Sequence, residues 1–186
     1  MDRELRFVSS NQYKIRETQD ILANASVRIV AVDRKIEELQ TVDTSSLVRD
    51  KALKAFALVG RPLFVEHTGL YLNYLNGFPG GLTQIFWDTL GPDRFTEAFG
   101  KASERRVVAK TIIGYIDSQR FHEFSGEAHG EIAEEPRGPR HFQWDCVFIP
   151  AGQDQTFAEM GPAKNEISMR RRALEAFGRH LRGGQS

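Results

Sequence analysis

The chain has 186 residues, 40% apolar and 10% aromatic, which suits one domain over residues 1–186 with its own core and excludes a disordered chain. Its 25 basic and 25 acidic side chains cancel, which argues against nucleic-acid binding driven by global charge. No apolar run approaches the roughly 20 residues of a membrane helix, the N-terminus lacks a signal peptide's apolar stretch, and the lone Cys146 forms no internal disulfide. A cytoplasmic protein with neither a membrane nor a nucleic-acid partner is expected.

Along the chain, Leu5-Arg6-Phe7-Val8-Ser9 reads as a short buried strand that turns at Ser10-Asn11 into a helix over Gln12–Ala23. Val27–Val32 reads as a second strand. Thr44 or Ser45 caps a helix whose Val48, Ala52, Ala55, Phe56 and Val59 follow helical spacing, and Gly60-Arg61-Pro62 stops it. Leu63-Phe64-Val65 then forms a strand that delivers Glu66-His67-Thr68-Gly69-Leu70 at its end. Residues 76–81 form a loop by composition. Two short helices follow, over Thr83–Leu90 and Asp93–Phe99. Val107–Asp117 and Phe121–Gly130 pair as a hairpin around Ser118-Gln119. Residues 134–139 are a charged loop, Cys146-Val147-Phe148-Ile149 a further strand, and Ile167–Leu181 a final amphipathic helix. This order predicts an α/β protein, a mixed sheet with helices packed on it.

The zero net charge hides an uneven distribution. Between Lys164 and Arg182 six cations face two acids, while acids gather at Glu37-Glu38 and at Glu131, Glu134 and Glu135. Such runs are commonly solvated helix faces; meeting in one cleft, they suit a metal-bound phosphate ester.

Three groups of residues carry chemistry. Ser9, Asn11 and Lys14 sit at a strand-to-helix junction, where free N–H groups and the helix dipole favour an anion, though Ser and Asn there also serve as plain caps. Glu38 and Glu66 are candidate oxygen ligands for Mg²⁺, and Glu66 stands out because an apolar strand is an odd place for a surface charge. Phe142 and Trp144 offer faces for stacking a purine, with Asp145 to read its edge and Lys164 and Arg170 to bind phosphate or an oxo group. Aromatics at such positions are also common core residues. His122, His129, His141 and His180 show no metal-ligand spacing, and Cys146 reads as a small buried residue.

Taken in order from Leu5 to Leu181, these segments resemble the inosine triphosphate pyrophosphatase family. The resemblance rests on the Ser9-Ser10-Asn11-Gln12-Tyr13-Lys14 opening, Glu38, the Val65-Glu66-x-Thr68-Gly69-Leu70 strand end and the Asn76-Gly77-Phe78-Pro79-Gly80 loop. Further on it rests on Trp144-Asp145-x-x-Phe148-x-Pro150, on Thr156-Phe157-Ala158-Glu159-Met160, and on Lys164-Asn165-x-Ile167-Ser168-x-Arg170-x-Arg172-Ala173-Leu174. It implies a long, twisted mixed sheet flanked by helices, two lobes around a nucleotide cleft, and a homodimer. It also implies hydrolysis of dITP, ITP and XTP to monophosphate and pyrophosphate with Mg²⁺. Ser9, Asn11 and Lys14 would hold the triphosphate, and Glu38 and Glu66 the metal. Phe142, Trp144 and Asp145 would frame the base, with Lys164 and Arg170 on the nucleotide.

Three positions depart from that pattern. His67 stands where the family carries the aspartate expected to bind metal or activate water, Met169 where it carries a histidine, and Gln143 where it carries a glycine. Imidazole is a poor ligand for Mg²⁺ and a better one for softer metals such as Mn²⁺ or Zn²⁺, and it can also act as a general base. A thioether donates no hydrogen bond. Binding residues kept with catalytic ones replaced imply a nucleotide sensor or regulatory subunit, a role compatible with a bacterial antiphage system in which an NADase is the effector partner. The alternative is an active pyrophosphatase with altered metal or substrate preference.

Overall fold

The computed structural model describes residues 3–23 and 27–183, with Arg3 as backbone alone. Strands β1 (Arg3–Val8) and β2 (Val27–Val32) run parallel, with Leu5 opposite Ile29, and helix α1 (Gln12–Leu22) joins them. Helix α2 (Thr44–Val59) leads to β3 (Leu63–Leu72), which lies parallel to β1 on its other side. The two-residue β4 (Pro79–Gly80) pairs with β3. After helix α3 (Thr83–Phe99), strands β5 (Arg106–Ile116) and β6 (Phe121–Ile132) form a long hairpin, and β7 (Phe148–Pro150) closes the edge. The seven strands form one mixed sheet in the order β2-β1-β3-β5-β6-β7, with β4 beside β3. Short helix α4 (Phe157–Met160) and the long α5 (Met169–Gly183) complete the chain.

Strand alternation sets which helix covers which face. Phe64 points with Leu5, Phe7 and Tyr115 toward α1 and α5, where Ile15, Leu22, Leu174 and Phe177 pack on it. Its neighbours Leu63 and Val65 point the other way, against Leu47, Val48, Ala52 and Ala55 of α2. A second lobe forms where the far halves of β3, β5 and β6 meet α3, the 143–147 turn and α4, around Trp87, Phe95, Phe148 and Phe157. Among the described residues no helix is long and apolar enough to cross a membrane.

The order of elements agrees with the sequence reading, and the differences are local. The cap of α2 is Asp43, whose carboxylate accepts from the backbone N–H of Ser45 and Ser46; Thr44 and Ser45 are already helical. The two helices expected over residues 83–99 meet at Gly91, whose φ of 66° breaks the run ahead of Pro92. The strand expected over Cys146–Ile149 is a 3₁₀ turn over Gln143–Val147 followed by β7: an apolar run fits a buried turn and a buried strand equally well. The last helix starts at Met169, because Gly161–Glu166 forms a separate 3₁₀ turn with Pro162 near its start.

Candidate functional site

In an open α/β sheet, ligands bind beyond the carboxyl ends of parallel strands, where successive connections leave on opposite faces. Here α1 leaves β1 on one face while α2 covers the other, and a cleft of about 600 Å³ opens at that point. Ser9, Asn11 and Lys14 line it from the β1–α1 junction, Glu38 and Lys51 from the α2 side, and Glu66, His67 and Thr68 from β3. Thr83, Gln84, Trp87, Gln143 and Trp144 line it from the second lobe.

The end of the cleft at the β1–α1 junction is built from short polar residues. Ser9 Oγ accepts from the Asn11 N–H (3.2 Å), and Asn11 Oδ1 in turn caps α1 by accepting from the Lys14 N–H (3.2 Å). Capping is therefore present, and it turns the first turn of α1 toward the cleft. The Lys14 ammonium lies 2.9 Å from Glu66 Oε1.

Glu66 is the most tightly held acid in the site. Arg170 donates from Nε to Oε2 (2.9 Å) and from Nη2 to Oε1 (3.3 Å), Thr68 donates its hydroxyl to Oε1 (3.3 Å), and the carboxylate is 1% exposed. Burial opposes its charge, but Arg170 and Lys14 beside it hold the carboxyl far below the usual carboxylate range. Arg170 Nη1 also donates to Glu17, so its donors are spent on two acids and it lines neither of the cavities described here.

His67 faces the opposite side of β3. Its Nδ1 is 3.7 Å from Glu38 Oε2, and its buried Nε2 has no hydrogen-bond partner. Burial, reinforced by Lys14 and Lys51, pushes the imidazole down to about 4, against the pull of Glu38 and Glu66. The ring is therefore neutral near pH 7. Lys51 donates from Nζ to Glu38 Oε1 (2.6 Å) and reaches the Glu66 carbonyl (3.4 Å).

The residues expected to frame a base divide between two cavities. Trp144 and Gln143 line the first cleft, where the buried Trp144 Nε1 has no partner and Gln143 donates to Gln84 across the cleft. Phe142, Asp145 and Lys164 line a neighbouring cavity of about 380 Å³ with Tyr13 and Glu17. There the Lys164 ammonium stands 4.1 Å over the Phe142 ring and donates to the buried Asp145 carboxylate. Met169 packs in the core of the second lobe.

A divalent metal needs carboxylate oxygens that are free to bind it. Both oxygens of Glu66 are engaged, Glu38 gives Oε1 to Lys51 and keeps Oε2 beside the His67 ring, and position 67 offers a nitrogen. Among the described residues no three His, Cys, Asp or Glu side chains cluster as a metal site. One free carboxylate oxygen beside an imidazole nitrogen is a poor donor set for Mg²⁺.

Sequence reasoning missed Lys51, Glu17, Arg34, Lys35 and Gln84. Lys51 and Glu17 are charged residues on helices, and only the crossing of α1 and α2 over the sheet brings them to the site. Periodicity alone does not carry that information.

The sequence profile of the Ham1 family matches residues 5–180. Over 173 residues the chain is 36% identical to the dITP/XTP pyrophosphatase of Methanopyrus kandleri, covering 92% of each chain. It is 32% identical to the inosine triphosphate pyrophosphatase of Saccharomyces cerevisiae, over 97% of this chain and 96% of that one. Among solved structures, a HAM1 protein from Coxiella burnetii superposes with a TM-score of 0.82 at 26% identity, over 97% of this chain and 99% of that one. On this evidence the chain belongs to the Ham1 family, that of the inosine triphosphate pyrophosphatases.

Proposed function

We propose that this protein binds dITP, ITP or XTP and holds the nucleotide with little turnover, as a sensor or regulatory subunit. The observation that carries this reading is the buried, neutral imidazole at position 67. A general base works best with a pKa near the working pH, and one at about 4 is a weak base at pH 7. Imidazole is also a poor ligand for a hard metal. Residues suited to binding, by contrast, line both cavities: Lys14 at the capped helix start, and Lys164 with Asp145 beside the Phe142 ring.

Hypoxanthine and xanthine carry an oxo acceptor where adenine carries an amine, so a buried donor aimed there favours the first two by roughly 1–3 kcal/mol. Lys164 suits that role better than Arg170, whose donors are committed to Glu66 and Glu17. A nucleotide that is held rather than cleaved shifts a protein between two states by its differential affinity for them. Such a protein suits a regulatory partnership with an effector, an antiphage NADase among the candidates.

The test pairs a thermal shift with a pyrophosphate-release assay on dITP, ITP, XTP and dGTP. A ligand at 100 times its Kd stabilises the fold by about 2.7 kcal/mol. A large shift with dITP and negligible pyrophosphate supports the reading. Fast release at ordinary enzyme concentration favours the activity carried in the relatives' names and rejects the sensor.

A further inference from the structure

Two of the three acids lining the cleft are already matched by cations of the same chain, while the third, Glu37, is exposed and makes no ion pair among the described residues. Glu66 has Arg170 and Lys14, and Glu38 has Lys51, whose ammonium also reaches the Glu66 carbonyl. A divalent cation entering here would find one Glu38 oxygen held by Lys51 and the other beside an imidazole that binds hard metals poorly.

Two further cations line the same cleft. Arg34 and Lys35 follow the end of β2, and both are exposed. The Arg34 N–H donates to the Val32 carbonyl and fixes the chain where it leaves the strand. Neither side chain makes an ion pair among the described residues. The cleft thus holds two paired ammonium groups and two cations with charge to spare, opposite a capped helix start. Guanidinium and ammonium groups make short, charge-assisted hydrogen bonds to phosphate oxygens without a bridging metal.

We propose that this cleft takes the triphosphate metal-free, with Lys51, Arg34 and Lys35 supplying the positive charge that a divalent cation would otherwise bring. The proposal rests on the reading of the cleft as a purine nucleoside triphosphate site. Its ligand is the free polyphosphate anion, where a metal-loaded site would select the metal complex.

The experiment is isothermal titration of the protein with the α,β-imido analogue of dITP, once in EDTA and once in excess Mg²⁺. The analogue resists cleavage, so any residual turnover leaves the readout intact. Binding in EDTA as tight as in Mg²⁺, or tighter because Mg²⁺ sequesters the free anion, supports the proposal, and a loss of more than threefold in EDTA overturns it. The double variant Arg34→Ala/Lys35→Ala touches only exposed side chains. It is expected to bind about tenfold more weakly in EDTA, since each exposed ionic contact contributes modestly. Unchanged affinity of that variant removes Arg34 and Lys35 from the proposal. Absence of any titration heat or thermal shift, with or without Mg²⁺, rejects the nucleotide site and this proposal together. Metal-dependent binding rejects this proposal alone.

Discussion

Glu66 and His67 are consecutive in β3 and project from opposite faces of the sheet. Glu66 faces the α1–α5 side, where Lys14 and Arg170 hold it, and His67 faces the α2 side, beside Glu38 and Lys51. His67 thus shares a face with Glu38. An aspartate in its place would add a second carboxylate next to Glu38 and give a divalent cation an oxygen pair. His67→Asp is therefore expected to raise Mg²⁺-dependent pyrophosphate release from dITP by about 10²-fold or more, the low end of what a positioned base supplies. If the variant stays inert, the loss at position 67 is not what limits hydrolysis.

His67 also predicts a pH effect on stability. Its folded value of about 4 lies below the ordinary 6.5, so the unfolded chain takes up the proton first as pH falls. The contribution is complete above about pH 6.5 and disappears as pH falls toward 4, by up to roughly 3 kcal/mol. Urea unfolding of wild type and His67→Asn across pH 4–7 isolates it. The variant is expected to lose less stability than wild type over that window, and parallel curves would show that the imidazole is not held neutral.

Glu66→Gln is expected to destabilise the fold by about 3–5 kcal/mol, because it leaves Arg170 and Lys14 facing a neutral amide in a buried site. The linkage has the same sign as that of His67 and acts over a more acidic window. The folded carboxyl is depressed, so its contribution is present above the ordinary glutamate range and is lost as pH falls below it. Urea midpoints at pH 7 and pH 3 should differ more for wild type than for Glu66→Gln.

Much of this site is legible in sequence because local physics dictates it. The strand end at Val8, the caps at Ser9 and Asn11, and Lys14 one turn later belong to one short segment whose geometry follows from its residues. Glu66 is visible as a charge in an apolar run. What is not legible depends on contacts far apart in sequence. The Arg170–Glu66 pair spans 104 residues, and Arg170 reads as a ligand-facing cation until the structure shows its donors committed. Lys51 is indistinguishable on α2 from exposed Lys54 until α2 is laid across β3. Asp145 and Trp144, adjacent in one 3₁₀ turn, address different cavities, a division that no spacing rule anticipates.

That division makes the two ends of the proposed nucleotide site separately testable. Lys164 is paired with buried Asp145 and stands over Phe142, while Ser9 and Asn11 line the other cavity. Lys164→Met keeps most of the stem and removes the charge, so dITP affinity is expected to fall by about tenfold or more. Inorganic triphosphate, which has no base, is expected to bind the variant as it binds wild type. Equal losses for both ligands would place Lys164 on the phosphates instead.

The last prediction concerns how α5 is seated, since its first turn carries Arg170. Gly126 in β6 is the point of closest approach: a Cβ there would lie 2.3 Å from the Met169 carbonyl oxygen and 2.5 Å from the Ala173 nitrogen. Both atoms are backbone, so no side-chain rotation relieves the clash and the helix must move away from the sheet. Gly126→Ala is expected to cost about 1–3 kcal/mol or more, as overpacking does. Because Arg170 moves with α5, the variant should also loosen Glu66 and Lys14 and weaken inorganic triphosphate binding. Arg172→Ala, on the same turn but outside the Glu66 network, should leave that binding intact. A Gly126→Ala protein that melts like wild type and binds triphosphate normally would show that the seating of α5 does not position Arg170.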